Sequence, residues 1–423
     1  MATKKIHLVS LGCDKNLCDS EKMLALAVKD GYEFTDVPEE ADIILINTCA
    51  FILDAQEESV NTILEMAERK RGELIITGCL AERFRDEIQK EIPEVDRVIG
   101  NSELQDYLFR EHVKDRVVTT GGHYAYLKIA EGCDKRCTYC IIPYLRGEYR
   151  SVPMEDLISE AESLAEKGVK ELILVAQETT VYGKDIYGKK MLPELLGKLS
   201  AIDGIEWIRC MYMYPEEITD ELIETIKDSA KICHYFDMPI QHSSDSVLKR
   251  MGRRTTGSEI RERISFIRNE IPDACIRTTM ISGFPGETED DHQDLLQFIE
   301  EMDIDRLGCF AYSREDGTPA ASFSDQVEEE TKTRRRDEVM ELQQEMAFEK
   351  AEARIGHVMR TIVEGRLTEE EGNVYVGRTY LDAPDVDGYI YFDGGRHEYM
   401  TGDMVNVLVT GSNEYDLLGE IVK

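Results

Sequence analysis

The stretch EGCDKRCTYC, residues 131–140, ends the first of six apolar runs and sets Cys133, Cys137 and Cys140 on one short loop. Three thiolates spaced this way can each take a different iron of a cubane 4Fe–4S cluster and leave the fourth iron open for a substrate. Gly132 and Gly147 lend the loop the backbone freedom it needs. A zinc knuckle is the competing reading, but structural zinc favours four ligands. No fourth Cys or His lies nearby, and His123 precedes the strand.

Six strand-like runs extend outward from this loop: YAYLKIAEGC (124–133), ELILVAQET (171–179), WIRCMYMYP (207–215), YFDMPIQHS (235–243), IRTTMISGFPG (276–286) and LGCFAYS (307–313). Helical patterns such as Met154–Lys167, Glu216–Asp228 and Asp290–Glu301 separate them. Six such repeats predict an open or partial (β/α) barrel, with its functional face at the strand ends. Polar and glycine residues gather at that face. Gln177 and Glu178 follow the second run, Gln241, His242 and Ser243 follow the fourth, and Gly283, Phe284, Pro285 and Gly286 turn the fifth into a helix. No single side chain stands out as a proton-transfer catalyst.

Upstream, KIHLVSLGC (5–13), DIILINTC (42–49) and ELIITGC (73–79) are three further runs, each ending in a cysteine. Helical patterns over Asp19–Asp30 and Asp54–Arg69 lie between them. Alternation of this kind predicts a parallel α/β sheet. Cys13, Cys49 and Cys79 then share the carboxyl edge, where open α/β sheets bind ligands. The residues alone leave open whether they form a site or are three separate thiols. Cys18 is the nearest rival, but the helical pattern after it turns it towards the domain. Cys210, Cys233, Cys275 and Cys309 lie inside strand-like runs and read as core.

A charged helical stretch, about 328–353, contains TKTRRR and reads as a connector with a solvated face. The tail changes character. GHVMRTIVEG, NVYVGRTYLD, GYIYFDGG, DMVNVLVTG and LLGEIV are short β-type runs that predict a small antiparallel barrel. The expected division is 1–117, 118–347 and 350–423.

Charge limits the partners. The chain has 85 acidic and 50 basic residues, a net charge of -35. Residues 351–423 hold 14 acidic and 6 basic, a net of -8. Nucleic-acid affinity comes largely from cations on phosphates, so no strong direct RNA binding is expected. A basic protein would be attracted. Eleven cysteines, an odd number, argue for metal ligation over disulfides in a reducing compartment. No apolar run is long enough to span a bilayer. The opening MATKKIHLVS has no signal-peptide layout, so a cytoplasmic location and no membrane partner are expected.

The spacing of Cys133, Cys137 and Cys140, with Tyr139 just before the last, resembles the radical S-adenosylmethionine superfamily. The whole chain resembles its methylthiotransferases through LGCDKNLCDSE, INTCAFI, TGCLAER, MPIQHSSDSVLKRMGR, SGFPGETEDD and FAYSREDGTPAA. MPIQHSSD and APDVDG resemble the branch acting on an aspartate of small-subunit ribosomal protein twelve. The resemblance implies an N-terminal methylthiotransferase domain, a radical core and a C-terminal TRAM domain. It implies two 4Fe–4S clusters, the auxiliary one on Cys13, Cys49 and Cys79. It also implies that the 283–286 loop, with Tyr139, Gln177 and Ser243 as further candidates, lines the S-adenosylmethionine pocket. In such enzymes reductive cleavage of S-adenosylmethionine yields a 5′-deoxyadenosyl radical that takes hydrogen from an unactivated carbon. The implied partners are a basic ribosomal protein, free or within the small subunit, and an electron donor of flavodoxin or ferredoxin type. Two alternatives stay open: a tRNA adenosine methylthiotransferase, and a non-catalytic iron–sulfur electron-transfer or cluster-carrier protein.

Overall fold

In the computed structural model, residues 3–111, 113–367 and 373–422 are described. The first three cysteine-ending runs become strands β1 (Lys5–Ser10), β3 (Ile43–Thr48) and β4 (Glu73–Gly78), with short β2 (Glu33–Phe34) and β5 (Arg97–Val98) at the edges. All pair in parallel, in the order β2-β1-β3-β4-β5. The near-continuous burial of β3 and β4 explains their unbroken apolar sequences, because helices cover both faces of a parallel sheet. The helices are α1 (Asp14–Lys29), α2 (Leu53–Arg69), α3 (Cys79–Arg83), α4 (Arg85–Glu91) and α5 (Asn101–Glu111).

Helix α1 begins at Asp14, earlier than its apolar pattern suggests. Its first turns bury Lys15, Asn16, Asp19, Ser20, Glu21 and Lys22, so no apolar stripe marks the true start. These polar side chains meet the second domain. Lys128 pairs with Asp19 and, at 2.9 Å, with Glu131. Arg116 pairs with Glu21 at 3.0 Å and Glu160 at 2.8 Å, and Lys22 with Glu160 at 3.0 Å. Each buried charge is matched, as removal from water demands.

The central domain has strands β6 (Tyr124–Lys128), β7 (Ala130–Glu131), β8 (Arg150–Ser151), β9 (Glu171–Val175), β10 (Trp207–Cys210), β11 (Ile232–Gln241), β12 (Cys275–Ser282) and β13 (Arg306–Ala311). Six of them form one open parallel sheet, ordered β13-β12-β11-β10-β9-β6, the partial barrel expected. Its helices are α6 (Ile142–Arg146), α7 (Met154–Glu166), α8 (Lys184–Tyr187), α9 (Leu192–Ser200), α10 (Asp220–Asp228), α11 (Asp245–Arg250), α12 (Gly257–Glu270) and α13 (Glu289–Met302). Capping boxes at Thr256/Glu259 and Thr288/Asp291 fix the starts of α12 and α13. The main core lies between the sheet and these helices.

Helix α14 (Glu329–Ala353) leads to β14 (Val358–Arg366), β15 (Val374–Thr379), β16 (Ile390–Asp393), β17 (Met404–Asn413) and β18 (Asp416–Ile421), a closed barrel. It is not wholly antiparallel as expected, because β16 and β18 run parallel to close it. This barrel caps the amino-terminal end of the central strands. Arg378 pairs with Glu171 at the start of β9 at 2.7 Å, and Arg306 at the start of β13 pairs with Asp382 at 2.7 Å. Arg209 donates to the Tyr380 carbonyl at 2.7 Å, and Tyr235 to Asp387 at 2.6 Å. His123 bonds Glu364 here, which settles its role as structural. The carboxyl edge is left to the cysteines.

Candidate active site

The loop carrying Cys133, Cys137 and Cys140 is tied at both ends. Strands β7 and β8 pair Ala130 with Ser151 and Glu131 with Arg150, so the chain leaves and returns at one place. The Cys133 N–H donates to the Gly147 carbonyl at 3.1 Å, and the Cys140 N–H to that of Cys137 at 3.0 Å. Gly132 has φ +75°, and a Cβ there would stand 2.1 Å from the Glu148 carbonyl oxygen, so only glycine fits. The end of α11 supports the loop. Thr138 donates its N–H to the Met251 carbonyl at 2.9 Å and its hydroxyl to that of Arg250 at 2.8 Å. Burial pushes the Cys133 and Cys140 thiols up to about 12. Free of metal they keep their protons, which ligation would displace.

Arg253 tests what the loop can hold. It is buried, lies 4.2 Å over the Tyr214 ring, and feels Tyr139 and Cys137 electrostatically. None of its three guanidinium nitrogens has a hydrogen-bond acceptor among the described residues, and its ion pair with Glu216 is long, at 3.7 Å. A buried guanidinium without acceptors is costly. An anionic body beside the cysteines relieves it, and a sulfide cluster held by thiolates is such a body. Zinc fits less well, because a structural zinc site takes four protein ligands and the loop supplies three thiols.

The second set meets at the edge of the first sheet. Cys49 directly follows β3, Cys79 opens α3, and Cys13 precedes α1. Gly12, at φ +87°, lets the turn before Cys13 close on Cys49; a Cβ there would stand 2.8 Å from the Cys49 sulfur. Ser59 of α2 grips Cys49, its hydroxyl accepting the Cys49 N–H at 3.1 Å and donating to the carbonyl at 2.9 Å. Burial pushes the Cys79 thiol up to about 12, and Arg146 opposes that rise. Arg146 also feels Cys13 and acts on Cys49. Cys18 points away: it is fully buried, its sulfur 3.5 Å from the Tyr126 carbonyl. Cys210, Cys233, Cys275 and Cys309 are buried, as expected of core.

Further contacts between the two domains lie at their carboxyl edges. Lys15 lies 3.2 Å over the ring of Tyr212, at the end of β10. Arg83, four residues after Cys79, pairs with Glu315 at 3.2 Å and donates to the Asp316 carbonyl at 2.9 Å. Gln56 donates to Glu315 at 3.2 Å. Arg146, six residues after Cys140, donates to Asn16 and, at 2.9 Å, to Glu131. Three non-glycine residues with positive φ, Arg136, Tyr212 and Gln241, sit on this edge. Such backbone is held only where surrounding contacts fix it, typically at functional sites.

The other sequence candidates divide. Tyr139 sets its ring edge-on to Phe284 at 6.5 Å, and Phe284 is buried among Tyr139, Tyr312 and Phe323. Gln177 holds a buried amide oxygen with no donor among the described residues. The Ser243 hydroxyl is already committed to Asp294 at 2.6 Å. The glycines of the 283–286 turn are closely packed. A Cβ on Gly283 would meet the Lys332 stem at 2.2 Å, and one on Gly286 would meet Arg250 at 2.7 Å. On the Cβ side both make room for protein side chains, and their place in a cofactor pocket belongs to the proposal below. Pro285 turns its carbonyl to Arg250 Nε at 2.8 Å.

Glu287 and Arg335 went unnoticed in the sequence. Buried Glu287 accepts the N–H groups of Gly283 at 2.7 Å and Phe284 at 3.1 Å, and Arg335 holds it at 2.9 Å. The TKTRRR stretch is therefore not simply a solvated face, since Lys332 and Arg335 are buried. The one signal was the acidic residue just after the glycine turn.

Comparison with known proteins agrees. Residues 5–100 match Uncharacterized protein family UPF0004, 127–299 the Radical SAM superfamily and 355–422 the TRAM domain. The chain is 55% identical to "Ribosomal protein uS12 methylthiotransferase RimO" of Lachnoclostridium phytofermentans, over 98% of this chain and 99% of that protein. It is 49% identical to the protein of the same name from Acetivibrio thermocellus, over 99% and 98%. Among solved structures, the radical S-adenosylmethionine methyltransferase TsrM from Kitasatospora setae shares the fold. Its TM-score is 0.56 at 13% identity, over 88% of this chain and 80% of that one. The chain belongs to the radical S-adenosylmethionine methylthiotransferases, in the family of the ribosomal protein uS12 enzymes.

Proposed function

We propose that the chain methylthiolates the β-carbon of an aspartate in ribosomal protein uS12. In this reading Cys133, Cys137 and Cys140 hold one 4Fe–4S cluster, and Cys13, Cys49 and Cys79 hold a second. When bound, the clusters and S-adenosylmethionine supply one-electron cleavage, sulfur and a methyl group. The chain's own residues do the rest. Arg253 offers unpaired N–H groups beside the first cysteine set and balances negative charge there. Gln177 offers its free amide oxygen to an N–H donor, such as the amino group of S-adenosylmethionine. Tyr139 and Phe284 form an apolar wall that keeps water out. Phe284 is held in place by Glu287 and Arg335.

The observation that carries the reading is Arg146. It lies a short helix beyond Cys140, yet it bonds the helix that follows Cys13 and acts electrostatically on the second cysteine set. Two sites so joined suit successive steps on one substrate atom better than separate electron carriers. The acid excess favours a basic protein over tRNA. Anaerobic turnover with purified uS12, S-adenosylmethionine and dithionite tests it. Mass spectrometry should find one methylthio group on a single aspartate. Methylthio-adenosine in tRNA with unmodified uS12 would overturn the substrate, and no 5′-deoxyadenosine at all would overturn the chemistry.

A further inference from the structure

Helix α2 begins next to Cys49 and leaves one face without a partner. Phe51 and Ile52, in the turn between them, are 46% and 37% exposed. Along the helix Leu53, Val60 and Leu64 are 57%, 38% and 46% exposed. At about 100° per residue these three fall within a sector of about 40°, so they form one stripe. Ser59, Ile63 and Met66 are buried on one adjoining sector, centred about 115° from the stripe. Asp54, Glu57, Glu58, Glu65 and Glu68 occupy about a third of the circumference on the stripe's other side, away from the buried sector. Only Glu65 has an ion pair among the described residues, with Arg69 at 3.0 Å. The result is an exposed apolar stripe with an acidic flank, starting beside one of the proposed cluster ligands. Contiguous exposed apolar side chains rimmed by polar ones are the pattern of an interaction site.

We propose that this face of α2 is the docking surface for the basic protein substrate. An apolar side chain of the substrate would lie on Val60 and Leu64, and neighbouring Lys or Arg residues would meet Glu57, Glu58 and Glu68. The inference rests on the proposed function and adds where the substrate is gripped. Charge selects the occupant. A flavodoxin- or ferredoxin-type donor is acidic and would be repelled by this flank, whereas a basic ribosomal protein is attracted. Geometry supplies the purpose. Ser59 fastens α2 to both the N–H and the carbonyl of Cys49, so a protein aligned along α2 is aligned with the second cysteine set.

The test uses the full reconstituted enzyme, fluorescently labelled uS12 and two double variants, Val60→Ser with Leu64→Ser and Glu57→Lys with Glu58→Lys. None of these residues lies in either cysteine site, so iron content and substrate-free 5′-deoxyadenosine formation should match wild type. Anisotropy should show uS12 binding weakened on the order of tenfold in each, the usual loss for contacts of this type, with KM rising in step and kcat unchanged. Unchanged uS12 affinity in both variants overturns the proposal. So does a pure change in self-association by sedimentation, or a slower reduction by flavodoxin at constant uS12 affinity; these assign the face to a second copy or to the electron donor. If wild type binds uS12 through α2 without modifying it, the docking surface stands and the activity falls. If it does not bind uS12, both fall.

Discussion

The two cysteine sets are built in opposite ways. Cys133, Cys137 and Cys140 lie within one loop, and a two-stranded ribbon closes that loop on itself. Cys13, Cys49 and Cys79 come from three strands and meet only because β1, β3 and β4 run parallel and end together. The first site is a property of a segment, and the second is a property of a sheet. Their arginines differ in the same sense. Arg253 is buried without acceptors among the described residues, whereas Arg146 is bonded to Asn16 and Glu131. In the proposed reading the local site holds a cation in reserve for what it binds, and the dispersed site uses its cation to hold the protein together.

The sharpest way to break this contrast is Cys137→Ala. It should lower 5′-deoxyadenosine formation on the order of a thousandfold or more, because in the proposed reading the loop can then no longer hold its cluster. Anaerobic chromatography reads it, and retained cleavage would move the radical site elsewhere. Arg146→Met comes next. It strips Glu131 and Asn16 of a buried partner, which commonly costs about 3–5 kcal/mol. Lys128 still holds Glu131 and Asp19, so the lower end, about 3 kcal/mol, is expected in the first urea transition of the metal-free chain. An unchanged transition would remove the structural role given to Arg146.

Arg253→Met should behave differently. Among the described residues no group loses a hydrogen bond and a costly buried charge is removed, so the urea transition of the metal-free chain should hold or rise rather than fall. Cleavage of S-adenosylmethionine should fall about 10–100-fold, as for groups that support a metal site, and Arg253→Lys should recover part of it. Equal effects of the Arg146 and Arg253 changes on folding would erase the distinction between the sites. The smallest effect concerns salt. Raising ionic strength from about 0.01 M to 0.15 M shortens the screening length from about 30 Å to 8 Å and should weaken uS12 binding several-fold. Salt-independent affinity would remove the electrostatic argument for the substrate.

What could be read in the sequence follows the same division. The loop spacing in 133–140 needs no tertiary knowledge, and the six β/α repeats announce the partial barrel. The strand-then-cysteine repeat placed Cys13, Cys49 and Cys79 on one edge, because a parallel sheet puts every strand end on the same side. The electrostatic groups were hidden. Arg253 closes the stretch MPIQHSSDSVLKRMGR, but only packing of α11 beneath the cysteine loop brings it near Cys137. The pair of Glu287 and Arg335 joins residues far apart in the chain, and TKTRRR reads as surface until α14 is laid on the sheet. The glycines at 283 and 286 showed that something comes close, but not that the neighbours are Lys332 and Arg250. The α1 start was masked because its first turns bury charge at a domain interface.

The claim that two separate sites share one reaction is tested most directly by replacing Cys13, Cys49 and Cys79 together with alanine. Both products should be followed in one anaerobic turnover with uS12. The account predicts 5′-deoxyadenosine at near wild-type rate, iron reduced to about half, and no methylthio-aspartate. Loss of 5′-deoxyadenosine, or survival of methylthiolation, would contradict it.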